Sequence, residues 1–235
     1  MAKQQPPTQC ELDLRRRTHG GARAGAGRPR QKGKHDPAHR ARPELKRYHP
    51  VHTVMRVKKG VAKLRRGRAY RAVRRAMVKC LGAQTFRVCH VSIQRNHLHF
   101  IVEAEDKECL AKGMQRLNIL VARALNRELR RKGSLFAFRY HATPIKTPKQ
   151  ARHCLAYVLN NWRRHDEDQS CARAQLAKVD PYSSALSFDG WNWPAFDKPV
   201  DYVPLPVSPP TTWLLRQGWR RHGLIDVHEV PGPLR

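Results

Sequence analysis

Asn96-His97-Leu98-His99-Phe100-Ile101-Val102 is the stretch on which the fold turns. It reads as a β-strand, because side chains alternate along extended backbone. His97, His99 and Ile101 then share one face, while Leu98, Phe100 and Val102 share the other. An apolar face needs a core beneath it, and two imidazoles on the opposite face stand about 7 Å apart on a rigid element. With a third ligand from elsewhere, such a pair grips one divalent ion. Alone, the triplet is also what two polar side chains on an exposed strand face look like.

Working outward, His52–Val57 alternates as a strand and ends at Lys58-Lys59-Gly60. Leu64–Leu81 has helical periodicity, with Tyr70, Val73, Met77 and Cys80/Leu81 at spacings of three and four. Thr85–Gln94 has strand composition, and the short link Gln94-Arg95-Asn96 predicts a hairpin into His97–Ala104. Lys107–Lys132 is a longer helix striped by Leu110, Met114, Leu117, Val121 and Ala124/Leu125, with Gly133 as its stop. Leu135–Ile145 follows as a fourth strand, and Pro148 opens a helix reaching Arg164. The order β-α-β-β-α-β predicts an α+β protein with a ferredoxin-like split β-α-β sheet, two helices covering one face. The seventh element, the helix from Pro148, is additional and lies across or beside that sheet. That fold hosts many functions and decides none of them.

The 235 residues hold 47 Lys or Arg against 18 Asp or Glu, a formal net charge of +29. Such a charge opposes compaction unless a polyanion screens it, which makes nucleic acid the expected partner. Residues 1–80 alone contain 24 basic and four acidic side chains. Residues 1–43 are polar, rich in Gly, Arg and Pro, and read as a disordered basic arm. Its Gly27-Arg28-Pro29-Arg30 segment resembles an AT-hook that lays Arg28 and Arg30 into a narrow minor groove; a flexible tether that finds phosphates has the same composition. No apolar run approaches membrane-spanning length, and the first residues lack a signal-peptide core. The six cysteines form no Cys-x-x-Cys pair, which fits reduced thiols in the cytoplasm better than a disulfide framework or zinc finger. A nucleoid-associated cytoplasmic protein, monomeric or homodimeric, is the expectation. Residues 44–168 form the expected central domain, and 169–235, Pro-rich and weakly periodic, an extension packed upon it.

The helix from Pro148 carries the second half of the chemistry. Leu155, Val158, Leu159 and Trp162 form one apolar stripe, and His153, Tyr157 and Asn161, four residues apart, form a separate row. Two histidines and the Asn161 carbonyl could hold a cation that polarises a phosphodiester. Tyr157 is then a nucleophile that yields a phosphotyrosine. Exchange of one phosphodiester for another needs no nucleotide cofactor.

Asn96–Val102, Met114-Gln115-Arg116-Leu117, Phe138-Arg139-Tyr140-His141-Ala142 and Tyr157-Val158-Leu159-Asn160-Asn161 together resemble the REP-associated tyrosine transposases, IS200-like single-tyrosine members of the HUH nucleases. The resemblance runs from about Arg47 to His165. It implies His97, His99 and Asn161 as metal ligands, Mg²⁺ or Mn²⁺ as the ion, and Tyr157 as the residue that takes a 5′-phosphate and frees a 3′-OH. It further implies single-stranded DNA beside a hairpin or palindromic repeat as substrate. This chain departs from the family in having Arg95, Leu159 and Trp162 where Pro, His and Pro are usual.

Among competitors for these roles, Tyr140 lies in a strand as a stacking or core aromatic, and Asn160 is a less favoured ligand than Asn161. His90 reads as a structural histidine. Arg116, Arg139 and His153 are candidate DNA contacts, His153 with a plain surface role as its alternative. A non-catalytic nucleic-acid-binding module of the same fold is the rival reading. Its usual sign, aromatics on the central strands for base stacking, is missing, since Phe100 shares the apolar face. A basic ribosome-associated protein would explain the charge but not the His/Tyr/Asn pattern.

Overall fold

The computed structural model describes residues 44–61, 63–193, 202–230 and 232. The basic arm, with Arg28 and Arg30, lies outside them. Strands β1 (Val51–Arg56), β2 (Phe86–Ile93), β3 (His97–Ala104) and β4 (His141–Pro144) form one antiparallel sheet in the order β2-β3-β1-β4. That is the split β-α-β order expected from the sequence. Helices α1 (Gly67–Val78) and α2 (Lys107–Glu128) cover the face presenting Val51, Met55, Leu98, Phe100 and Val102, all buried.

Several boundaries differ from the sequence reading, each for a local reason. In α1 the buried positions are Ala69, Ala72, Val73, Ala76 and Met77, so small residues let the helix lie close to its neighbours, and Leu81 is exposed. Helix α2 starts where Asp106 accepts the amides of Glu108 and Cys109. It stops four residues before the predicted end. Arg130 takes a positive φ of 48°, and the Arg131 amide donates back to the Asn126 carbonyl. The predicted eleven-residue fourth strand shrinks to four. Residues 135–140 pair with the sheet's backbone at the Val57–Phe136 bridge and otherwise pack on it through side chains, and Arg139 lies in this irregular connection.

β2 carries a bulge that alternation alone does not reveal. Val88 pairs with Val102 but His90 pairs with Ile101, leaving Cys89 as the extra residue. The inward side chains are therefore Phe86 and Val88, then Val91 and Ile93. His90 and Ser92 are turned to the other face, where Ser92 stands opposite His99.

That other face is covered by α3 (Pro148–Leu159), begun by Thr147, whose hydroxyl accepts the Gln150 amide, with Pro148 in the first turn. The predicted single helix to Arg164 is broken at Asn160, and a short α4 (Asn161–Arg164) follows. Cys154, Leu155, Val158 and Leu159 join Cys89 and Ile101 in a second core. Its far side comes from the C-terminal segment, through Trp191, Leu214, Leu215, Trp219, Ile225 and Val227. Two further short helices, α5 (Ala172–Leu176) and α6 (Trp213–Arg216), belong to this segment. Among the described residues no helix is long and apolar enough to cross a membrane.

Candidate active site

The strand reading of His97 and His99 places both on the α3 side, and β1 adds a third imidazole. His52 lies opposite Ile101, which makes His99 its diagonal neighbour on the same face. The His52 and His99 rings are coplanar to within 1°, and His52 Nε2 lies 3.0 Å from His99 Nδ1. One of these nitrogens donates and the other accepts. His97 is 4.7 Å from His99 between ring centroids, and its Nδ1 lies 2.7 Å from the Asn96 amide oxygen. His165, just past α4, meets the His97 ring edge-on at 5.1 Å.

Burial keeps this cluster neutral. It lowers His52 to about 4 and His97 to about 4, and holds His99 well below the ordinary histidine range. Electrostatic neighbours push the same way: His141 on His52, and His165 and Arg56 on His97. Neutral imidazoles are the form in which histidine ligates metal.

Tyr157 comes to this cluster from α3. Its ring stands edge-on to both buried imidazoles, 5.5 Å from His99 and 5.8 Å from His52 between centroids. Tyr157 thus faces the sheet, while Cys154, Leu155, Val158 and Leu159 bury the adjoining side of the helix. Asn161, beyond the break, is 1% exposed, and neither its Oδ1 nor its Nδ2 has a partner. His99 Nε2 is buried and unpartnered as well. Asn160 is spent differently: its Nδ2 donates to the carbonyls of Asp226 and Glu229, fastening the chain terminus to α3.

Among the described residues no three His, Cys, Asp or Glu side chains converge as a metal site. A site built from His97, His99 and an amide oxygen is of another composition. With the His99 proton on Nδ1, its unpartnered Nε2 is an acceptor like the unpartnered Asn161 Oδ1, and such nitrogen and oxygen donors are the kind a divalent ion takes.

The other sequence candidates are dispersed. Arg116 Nη2 donates to the Lys79 carbonyl, tying α2 to the end of α1. Arg139 is exposed. His153 Nε2 pairs with the Gly232 carbonyl at 3.0 Å, away from the histidine cluster. Leu159 and Trp162 are fully buried, so these two departures from the family pattern fill the core. His52, Arg56 and His165 were not singled out. His165 does extend the row 153-157-161 by one more step of four, a signal present in the sequence. The neighbourhood of His52 and His99 depends on strand register.

A family profile described as "Transposase IS200 like" matches residues 46–161, from just before β1 through Asn161. The chain belongs to the IS200-like transposase family. The match includes all four strands and the His97, His99, Tyr157 and Asn161 positions. Among solved structures, a REP-associated tyrosine transposase bound to a REP hairpin aligns with a TM-score of 0.46 at 15% identity. The alignment covers 55% of this chain and 74% of that one. No curated protein matches.

Proposed function

We propose that this IS200-like transposase is a metal-dependent endonuclease and strand transferase acting on single-stranded DNA beside a hairpin or palindromic repeat. The supporting observation is the Tyr157 ring packed edge-on against the His52–His99 pair. That contact brings a phenol to the ring of His99, whose Nε2 is buried and without a partner.

Tyr157 Oη attacks the scissile phosphorus, forming an O–P bond as the bond to the 3′ oxygen breaks. The products are a 5′-phosphotyrosine and a free 3′-OH. Reversal by another 3′-OH restores a phosphodiester and releases Tyr157, so cutting and joining are nearly isoenergetic. His97, His99 and Asn161 would hold Mg²⁺ or Mn²⁺, and the bound ion would supply Lewis-acid polarisation of the phosphate and charge neutralisation. His52 sets the ring that matters most. With the His99 proton on Nδ1 and donated to His52 Nε2, the His99 Nε2 lone pair is left free to ligate. Arg56, opposite His97 on β1, brings a fixed positive charge to the same face. Residues 44–168 form the catalytic domain, 1–43 a basic DNA-binding arm and 169–235 an extension of the catalytic fold. Arg28, Arg30, Arg116, Arg139 and His153 remain weaker candidates for DNA contact. The protein works in the cytoplasm on chromosomal DNA.

The test is a suicide-substrate assay on labelled single-stranded DNA carrying a hairpin. Wild type forms a covalent adduct with Mn²⁺ and none with chelator, and Tyr157→Phe forms none. His97→Ala loses the adduct yet keeps most of its salt-sensitive DNA affinity, because affinity arises from many Lys and Arg contacts. An adduct undiminished in Tyr157→Phe contradicts the proposal. Tight binding with no adduct in any variant favours the non-catalytic module.

A further inference from the structure

A cleft of about 910 Å³ is lined by the N-terminal end of α1, by Arg95 of the β2–β3 turn and by Glu167, Ser170, Cys171 and Ala174. It lies at the upper end of the range of roughly 300–1,000 Å³ that ligand pockets enclose. Its cationic lining includes Lys63, Arg66, Arg71 and Arg95, all exposed and with no acidic partner among the described residues. Two more arginines of the lining have structural duties. Arg65 is held by both Asp180 oxygens, and Arg74 donates to the Pro204 carbonyl. The rim thus has four uncommitted positive charges.

The floor is aromatic. Tyr70 and Tyr182 meet edge-on at 5.0 Å, and the Arg65 guanidinium lies 4.4 Å over the Tyr182 ring. Free cations along a rim and flat rings in the floor are the combination by which proteins hold a single strand, phosphates on the cations and bases against the rings. Duplex binding needs no aromatic floor, because its bases are stacked on one another.

The cleft also leads to the chemistry. Arg95 is two residues before His97, Glu167 is two residues after His165, and the His97 and His165 rings touch. The segments that line the cleft at Arg95 and Glu167 are thus the same ones that carry His97 and His165.

We propose that this cleft is the channel for the unpaired DNA strand flanking the scissile phosphate. The proposal rests on the DNA-cleaving function above and assigns to that site the path of its substrate. Arg95, which replaces the Pro usual in the family, gains a role here as the rim cation nearest the histidines.

The experiment measures equilibrium binding, so it stands apart from the cleavage assay. The full chain carrying Tyr157→Phe is titrated by fluorescence anisotropy, with chelator present, against a labelled hairpin bearing an unpaired tail and against the same hairpin with blunt ends. Arg66→Ala combined with Arg71→Ala is compared with Lys112→Ala combined with Lys132→Ala, which removes the same charge from exposed α2-side positions. Melting curves verify that all variants fold. For the tailed hairpin, the cleft pair is expected to lose roughly tenfold or more in affinity, and its salt slope to fall by about 1.4, since each single-strand phosphate contact contributes about 0.7. For the blunt hairpin the two pairs should bind alike. Arg95→Ala alone should show the tail-dependent loss in smaller measure. Equal losses for the two pairs on the tailed hairpin overturn the proposal. So does a cleft-pair loss as large on blunt DNA, which would make the cleft a duplex site. A wild-type protein that binds through the cleft but forms no adduct in the cleavage assay would refute the catalytic reading, and with it the cleft's role beside a scissile phosphate, leaving only a single-strand binding site.

Discussion

At the scale of single residues, the site is an economy of buried polar atoms. His99 uses one ring nitrogen on His52 and keeps the other unpartnered, and Asn161 keeps both amide atoms unpartnered. Unsatisfied buried groups cost about 1–3 kcal/mol each, so a fold tolerates a cluster of them where a ligand completes the set. His97, His99 and Tyr157 could be picked out from alternation and from the spacing of four. His52 could not, because diagonal neighbours appear only once strands are paired in register. His90 is a separate case, fully enclosed between β2 and the C-terminal segment, with Ser184 and Phe188 against it. Burial lowers it to about 4, while Glu103 and Asp189 pull weakly the other way. The folded state therefore disfavours the proton that the unfolded chain takes up near pH 6.5. Stability from neutral His90 is present above that pH and lost as pH falls toward 4. Between pH 7 and 5 the loss is about 2 kcal/mol. His90→Gln should flatten the fall in stability over that interval in denaturant titrations. An equally steep fall in the variant would show that other groups govern acid sensitivity.

At the scale of elements, the strongly periodic segments were legible and the irregular ones were not. β3 was bounded correctly because its alternation is uninterrupted, and α2 was found from five core positions. The Cys89 bulge was invisible, since Phe86, Val88 and His90 keep period two in sequence while the pairing slips. The break at Asn160 was hidden for a similar reason: Trp162 continues the apolar stripe although the backbone has left the helix. Element packing has one intolerant point. The Phe86 ring lies against Gly113 in the middle of α2, so closely that an added Cβ would overlap the ring atoms. Alanine is the better helix former by about 1 kcal/mol, but forcing a methyl into a closed contact costs about 1–3 kcal/mol. Overpacking should win. Gly113→Ala is expected to lower stability by about 1 kcal/mol in chemical denaturation, and a stabilised variant would contradict the packing of α2 on β2.

At the scale of the molecule, two cores share one sheet. The α1/α2 core was readable; the other was not, because its outer half comes from short helical turns and loops without periodicity. Glu103, at the end of β3 and 4% exposed, binds the returning chain. Its carboxylate accepts the amides and hydroxyls of both Thr211 and Thr212, with distances between 2.7 and 3.1 Å. Just beyond, Leu214, Leu215 and Trp219 close over α3, the helix bearing Tyr157. The C-terminal segment thus packs over the helix that carries Tyr157. Glu103→Ala strands four donors and should cost about 3 kcal/mol. Loss of adduct formation should accompany it at temperatures where the β1–β3 core persists. A fully active, fully stable Glu103→Ala protein would separate the segment from the site. The central claim concerns one oxygen atom, and mass spectrometry tests it most directly. Trypsin cuts after Arg152 and Arg163, releasing a peptide whose single tyrosine is Tyr157. After reaction with single-stranded DNA and nuclease trimming, a 5′-linked nucleotide should be found on that tyrosine. A nucleotide on Tyr140, or on any other residue with Tyr157 unmodified, would contradict the account.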